Sequence, residues 1–495
     1  MHMKQTCRSS ARMLTVGTLL MALLAGASMP GRAVAAEAGK TAGQKPVSRF
    51  TQVEAGTFYS LALRNDGSVW TWGRNLWSEL GIQEHMTVTS IAAPVRLAGL
   101  DEIVSIATNG GGYQLAAKAD GSVWEWGRSL QSVKQGIRPR QVAGINGVAA
   151  VEAGATSGFA VKRDGTLWAW PREGSAAAAN ASNGPARAAG ISGVVQLTSY
   201  GDLAAAVTKE GAVWLWHASA SEAAFQPLKP IRVTGLPKIK QVALLWDTAY
   251  GIDENGRTWS WSWTYGGVKG SYSVNAIKQI GQPKKIQAVM KMKEVKAGDG
   301  YALFVTSSGE VWTNSQTQPG KLVKRSGLPA ASSAAAGGYH GLALDASGRI
   351  WGWGADKWYE IGTPPTSPDG MIYKPVQVER EINLTANGKR LESIFPAVQR
   401  GRSILVPLRD TAAVVGAVFK TVNNYEGQFM IIEYKGNTAE LGWNKAKLVV
   451  DGKAMEIDYP TGAWSGVTMV PCSLLKQLGV SISWDGASRT VSISG

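Results

Sequence analysis

Short stretches of alternating apolar and polar residues run through most of the chain, with Gly-containing turns between them. Leu61-Ala62-Leu63 reads as a strand whose neighbours face outward. Asn65-Asp66-Gly67 reads as a hairpin turn, in which Gly supplies a positive φ. Val69-Trp70-Thr71-Trp72 is then the returning strand. Strand residues two apart share a face, so Trp70 and Trp72 point the same way.

That unit recurs. A polar or acidic residue, Gly, two residues and Trp occur together seven times, ending at Trp70, Trp124, Trp168, Trp214, Trp259, Trp312 and Trp351. The spacings are 54, 44, 46, 45, 53 and 39 residues, a period that signals a propeller or a solenoid. A second tryptophan follows at Trp72, Trp126, Trp170, Trp216, Trp261 and Trp353, whereas the sixth repeat has Asn314 there. A lone four-stranded unit cannot bury both of its faces, but a closed ring of them can. The expected fold is therefore mainly β: a seven-bladed β-propeller over residues 48–380. The first repeat opens where the last leaves off, at Pro375-Val376-Gln377-Val378, so ring closure is expected to use a strand from near Phe50.

The tryptophan period stops near Ile382. Residues 381–495 read as a smaller C-terminal α+β domain built on an internal duplication. Asn387-Gly388-Lys389 marks a hairpin, and a helix from Asp410 to Val415 ends at Gly416. A second helix from Ser473 to Leu478 ends at Gly479, and a last hairpin turns at Asp485-Gly486.

Two resemblances follow from these motifs. Ala334-Ala335-Ala336-Gly337-Gly338-Tyr339-His340-Gly341-Leu342-Ala343-Leu344 and the loop Gly73-Arg74-Asn75-Leu76-Trp77-Ser78-Glu79-Leu80-Gly81 resemble the signatures of the regulator of chromosome condensation repeats. Tyr replaces the signature His at Tyr59, Tyr113 and Tyr301, and the middle repeats are degenerate. The resemblance implies a propeller. It carries over no residues for the nucleotide exchange performed by the nuclear member of that family. The C-terminal stretch, through Val406-Pro407-Leu408-Arg409, Asn387-Gly388-Lys389 and Trp484-Asp485, resembles the domain named for the N-terminus of copper amine oxidases. Residues 381–495 contain no His, so no copper role is expected of it.

The first residues change the compartment. Lys4, Arg8 and Arg12 precede an apolar stretch from Met13 to Ala27, and Ala33-Val34-Ala35 offers a small-x-small cleavage site. Residues 1–35 are expected to be a signal peptide and 36–47 a linker, giving a secreted protein with no transmembrane segment after cleavage. The formal charge is +15; without Lys4, Arg8, Arg12 and Arg32 it is +11. Such a surface attracts anionic polymers, although excess Lys and Arg also serve solubility. No dense basic block with interleaved aromatics marks a nucleic-acid site.

Catalytic chemistry finds little support. His85, His217 and His340 fall in different repeats without metal-ligand spacing, and His340 suits a buried, turn-stabilising role. No nucleophile elbow, phosphate loop or calcium loop is present. The expectation is a non-enzyme with no cofactor and no metal. Aromatic residues in the loops form the candidate binding surface: Trp77, Trp358 and Tyr359 at equivalent positions of repeats one and seven, and Trp263 and Tyr265 in the long fifth repeat. The expected role is an extracellular binding or scaffold protein, free or non-covalently attached to the wall, whose partner is a protein or an anionic cell-wall polymer. A secreted propeller inhibitor of an extracellular enzyme and a cell-wall polysaccharide hydrolase or lyase remain as alternatives.

Overall fold

The computed structural model describes residues 48–494 apart from short internal stretches, the longest being 218–229 and 266–276. The expected signal peptide and linker, together with His85, lie outside the described residues.

Seven antiparallel sheets succeed one another among the described residues, spanning 50–96, 103–141, 148–187, 194–232, 239–285, 292–324 and 331–377. In the first, β1 (Phe50–Ala55), β2 (Tyr59–Arg64), β3 (Val69–Arg74) and β4 (Ser90–Arg96) pair in chain order. Each hairpin turn carries its Gly at positive φ, from Gly67 at 79° to Gly348 at 79°. The first tryptophan of a unit ties its indole N–H back to the turn side. Trp70 Nε1 donates to Ser68 Oγ at 2.9 Å, Trp168 Nε1 to Thr166 Oγ1 at 3.0 Å and Trp259 Nε1 to Asp253 Oδ2 at 3.1 Å. The second tryptophan packs against the neighbouring sheet, as Trp126 does in the core shared by sheets one and two.

The ring closes by packing. The first sheet meets the seventh through Val53, Ala62, Trp70 and Trp72 on one side and Ala335, Leu342, Leu344 and Ile350 on the other. The expected closing strand near Phe50 is instead β1, which pairs within its own sheet from Phe50 to Ala55 and gives the seventh sheet one backbone bond, Phe50 N to Gly348 O at 3.3 Å. The reason is strand supply. The seventh sheet already has four strands of its own, the last at Met371–Gln377. Side chains stitch the seam. Ser60 Oγ donates to Glu360 O at 2.7 Å and also lies 2.9 Å from His340 Nε2. With the serine proton committed to the carbonyl, Nε2 of His340 carries the proton of that second bond. Burial pushes the imidazole pKa down to about 3, so it stays neutral.

The first strand of every sheet is innermost, and these strands surround a central cavity of about 80 Å³. That volume holds several water molecules. Neighbouring inner strands are stapled by side chain to backbone. Gln52 bonds Ile106 N and O, Glu152 bonds Ser199 N, Gln196 bonds Val242 N and O, Gln241 bonds Val295 N and Glu294 bonds Ala334 N. Three charged groups line this hub, Glu54, Glu152 and Lys296, whose Nζ is 3.4 Å from Glu54 Oε1, and Glu294 lies beside Lys296. Burial pushes the Glu152 carboxyl up to about 8, and Glu54 adds to the shift. Burial alone would lower the Lys296 pKa, but Glu54, Glu294 and Glu152 together hold it above its usual value.

The C-terminal module contains α1 (Leu408–Val415) and α2 (Cys472–Gln477), shifted by two residues and one residue at their starts from expectation. Gly416 ends α1 at φ 73°. A five-stranded sheet between the helices, spanning 418–456, was not foreseen. The module packs on the outer strand of the first sheet: Ala92 and Ala93 share a core with Phe395, Val398, Leu405 and Met469. Arg64 reaches Glu381 at 3.0 Å across the junction, and Arg390 of the module holds the same carboxylate at 3.0 Å.

Two outcomes test these arrangements. Because the Glu152 pKa is raised on folding, its contribution is present below pH 4.5 and is lost as pH rises towards 8. Glu152→Gln should flatten that loss by about 1–3 kcal/mol, read as urea midpoints at pH 5 and pH 8. Equal pH slopes for the two proteins would contradict the hub assignment. Phe395→Ala should lower the thermal midpoint by removing about 3 kcal/mol of packing and should separate the unfolding of the C-terminal module from that of the ring. A single unshifted transition in calorimetry would show that the junction adds nothing.

Candidate loop face

Antiparallel order sorts the loops by face. The loops after the first and third strands of every sheet emerge together on one face of the ring; the hairpin turns after the second strands and the connections between sheets emerge on the other. The sequence candidates all sit in or beside third-strand loops, so all belong to the first face.

The loop after β3 is organised by two side chains. Asn75 Oδ1 accepts Leu80 N at 3.2 Å, and buried Glu79 accepts Trp77 N at 2.8 Å and Arg74 Nε at 2.8 Å. Gly81, at φ 69°, leaves room for Trp126 of the next sheet; a Cβ there would lie 2.5 Å from the indole. The seventh sheet repeats the design. Trp358 N donates to Glu360 Oε2 at 2.8 Å, Ile361 N donates to Asp356 Oδ1 at 2.8 Å, and Gly362 makes room for Trp72 across the seam. Ser78 and Tyr359 adopt matching positive φ values of 60° and 64°.

Trp77 and Trp358 thus occupy equivalent loop positions in adjoining sheets, both half-buried. Two guanidinium groups pack against Trp77, with Arg74 4.6 Å and Arg128 4.4 Å from its ring centroid. Tyr359 is drawn away from the candidate surface, packing on the Phe395 and Met469 core of the C-terminal module. Trp263 is a correction. It is 4% exposed and belongs to the core between the fourth and fifth sheets, because the eight-residue strand Thr258–Tyr265 places it on the same face as Trp259 and Trp261. Tyr265 ends that strand opposite Ile277, and its side chain lies outside the described residues.

Other aromatics take their place. Tyr339 and Trp246 are 63% and 64% exposed in first-strand loops of the seventh and fifth sheets. Phe58, at the position equivalent to Tyr339, has its ring centroid 6.3 Å from the tyrosine ring, and Arg74 lies 4.2 Å over the phenylalanine. Superposing the repeats on their signature residues Tyr59 and His340 would have found both. Across the mouth of the cavity, Tyr200 of the fourth sheet donates to Asp299 of the sixth at 2.9 Å. Among the described residues, no group of three or more His, Cys, Asp or Glu is placed to hold a metal ion.

Asp356 replaces the asparagine of the first loop at a cost. Its Oδ2 is buried without a partner, whereas Asn75 Nδ2 donates to Val88 O at 3.3 Å. Burial raises the Asp356 pKa to about 9. Stability is therefore lost as pH rises from about 4 to 9. Asp356→Asn should raise the unfolding free energy by about 1–3 kcal/mol at pH 8 and by much less at pH 4, measured by urea denaturation. An equal effect at both pH values would be the contrary result.

Comparison with known proteins follows the same division. The regulator of chromosome condensation (RCC1) repeat matches residues 50–76, 66–115 and 332–357, and the copper amine oxidase N-terminal domain matches 385–493. The human E3 ubiquitin-protein ligase HERC2 is 33% identical over 99 residues, 19% of this chain, and the probable human ligase HERC3 is 35% identical over 77 residues, 15% of it. This chain spans only 2% and 7% of those proteins' lengths. Among solved structures, Prp20p from Saccharomyces cerevisiae is similar at a TM-score of 0.49 and 17% identity, covering 67% of this chain and 88% of that one. Human WBSCR16 is similar at 0.48 and 16%, covering 63% and 94%. The chain therefore joins a β-propeller carrying regulator of chromosome condensation repeats to a copper amine oxidase N-terminal domain.

Proposed function

We propose that this is a non-enzymatic extracellular binding or scaffold protein that uses the loop face of its propeller to hold a protein or a cell-wall polymer. The observation that carries the reading is the gathering of Tyr339, Trp246, Phe58, Trp77 and Trp358 on one face of the ring. Large aromatics beside arginines are the usual anchors of binding surfaces. The basic, apolar start of the chain supports export, and the formal charge of +11 left without Lys4, Arg8, Arg12 and Arg32 supports attraction to an anionic partner. The C-terminal module docks on the outer strand of the first sheet and on Tyr359 of the seventh, while Tyr339 and Trp246 stay exposed.

Sedimentation with isolated Gram-positive walls tests this. The mature protein should pellet with walls at about 0.1 M salt and be released by 1 M, because the Debye length falls from about 10 Å to 3 Å. Binding that survives high salt and removal of teichoic acid would reject a charge-driven wall polymer and favour a specific protein or glycan. No sedimentation under any condition would reject the wall-scaffold reading and leave a soluble partner.

A further inference from the structure

The seam that closes the ring also builds a continuous strip on the loop face. From the seventh sheet to the second it runs Tyr339, Phe58, Arg74, Trp77, Arg128, each in contact with the next through ring–ring or guanidinium–ring packing at 4.2–6.3 Å. The strip crosses two sheet boundaries, so it exists only in the closed ring. Leu76, 41% exposed, adds apolar surface beside Trp77.

The members differ in what they leave open. Two guanidinium groups already pack against Trp77, so less of its ring is open to stack on a sugar ring or a nucleobase. Arg74 gives its Nε to Glu79 and is largely neutralised. Arg128 has no ion-pair partner among the described residues, and its charge is pinned in place by the indole. At the other end Tyr339 exposes most of its ring. The strip therefore offers one fixed guanidinium, suited to paired bonds with a carboxylate, beside a row of apolar surface.

We propose that this strip binds an acidic polypeptide segment, in which carboxylates meet Arg128 and apolar side chains cover Phe58 and Tyr339. A polyphosphate chain would satisfy the guanidinium but leave the exposed rings uncovered; an extended peptide satisfies both. The excess of positive charge over the whole chain favours the same sign of partner. This assignment rests on the loop-face reading above and narrows it to one part of that face.

Panning of random displayed peptides on the full mature chain tests it, followed by affinity measurement of the enriched peptides. Sequences combining Asp or Glu with Leu, Phe or Tyr should be enriched. Arg128→Glu should weaken them about tenfold or more, and Tyr339→Ala severalfold, while Val323→Ala, exposed on the outer strand of the sixth sheet, should leave them unchanged. Tyr339 is exposed, so its variant folds independently of the result, and thermal midpoints check the Arg128 variant. Enriched peptides that depend on Trp246 and ignore Arg128 and Tyr339 would overturn the strip while sparing the loop-face reading. Basic or uncharged consensus sequences would overturn the charge assignment. Failure to enrich any peptide that distinguishes the wild-type chain from an Arg128→Glu/Tyr339→Ala double variant would overturn the proposal, whereas wall sedimentation persisting in that double variant would leave the broader function standing.

Discussion

Neighbouring sheets of the ring share no hydrogen-bonded ladder; single backbone bonds such as Ile103 N to Gly67 O, Val148 N to Gly121 O and Val194 N to Gly165 O link them, and side chains supply the rest of their cohesion. Two devices supply it. Near the axis, Gln52, Glu152, Gln196, Gln241 and Glu294 each hydrogen-bond the backbone of the next inner strand. Farther out, the tryptophans and the glycines that admit them interlock, as Trp126 does with Gly81 and Trp72 with Gly362. A buried backbone group left unpaired is costly, so these staples satisfy donors and acceptors that a continuous sheet would otherwise pair.

The seam between the seventh and first sheets uses the same devices without a shared strand. His340, Ser60, Trp72 and the carbonyl of Glu360 form one network there. The C-terminal module sits beside this junction. It touches Ala92 and Ala93 of the first sheet and Tyr359 of the seventh, and Glu381 holds Arg64 and Arg390. A ring closed by side chains and isolated backbone bonds, Phe50 N to Gly348 O and Gly338 N to Gly56 O, gains from an outer brace at its seam, and this contact supplies one. The same closure aligns Tyr339 with Phe58 and so creates the aromatic strip on the loop face.

The hub shows how the ring concentrates charge. Glu54, Glu152, Glu294 and Lys296 come from the first, third and sixth sheets; burial raises the Glu152 and Glu294 carboxyls, and the surrounding carboxylates hold Lys296 above its usual value. Burial likewise raises the Asp356 carboxyl to about 9 and the Glu360 carboxyl to about 7. These groups act in the same direction: each makes the folded state bind protons more readily than the unfolded chain, so they weaken the fold as pH rises.

Local patterns in the chain were enough for the repeated hairpin, the positions of its tryptophans, the all-β ring and the α+β module, because turn chemistry, period-two alternation and repeat spacing are properties of contiguous residues. The equivalent placement of Trp77 and Trp358 was legible for the same reason. Exposure was not. Trp263 and Trp77 look alike as aromatics near the end of a third strand, yet only the packing of the fifth sheet on the fourth buries Trp263, and only the docked C-terminal module withdraws Tyr359. The inner-strand glutamines and glutamates alternate with apolar residues and read locally as a solvent-facing edge. Closing the ring turns that edge inward, which makes Gln52 and Glu152 staples and sets Glu152 beside Lys296. Those pairings join residues of different sheets, Gln52 with Ile106, Glu152 with Ser199 and Glu152 with Lys296, so tertiary structure alone decides them.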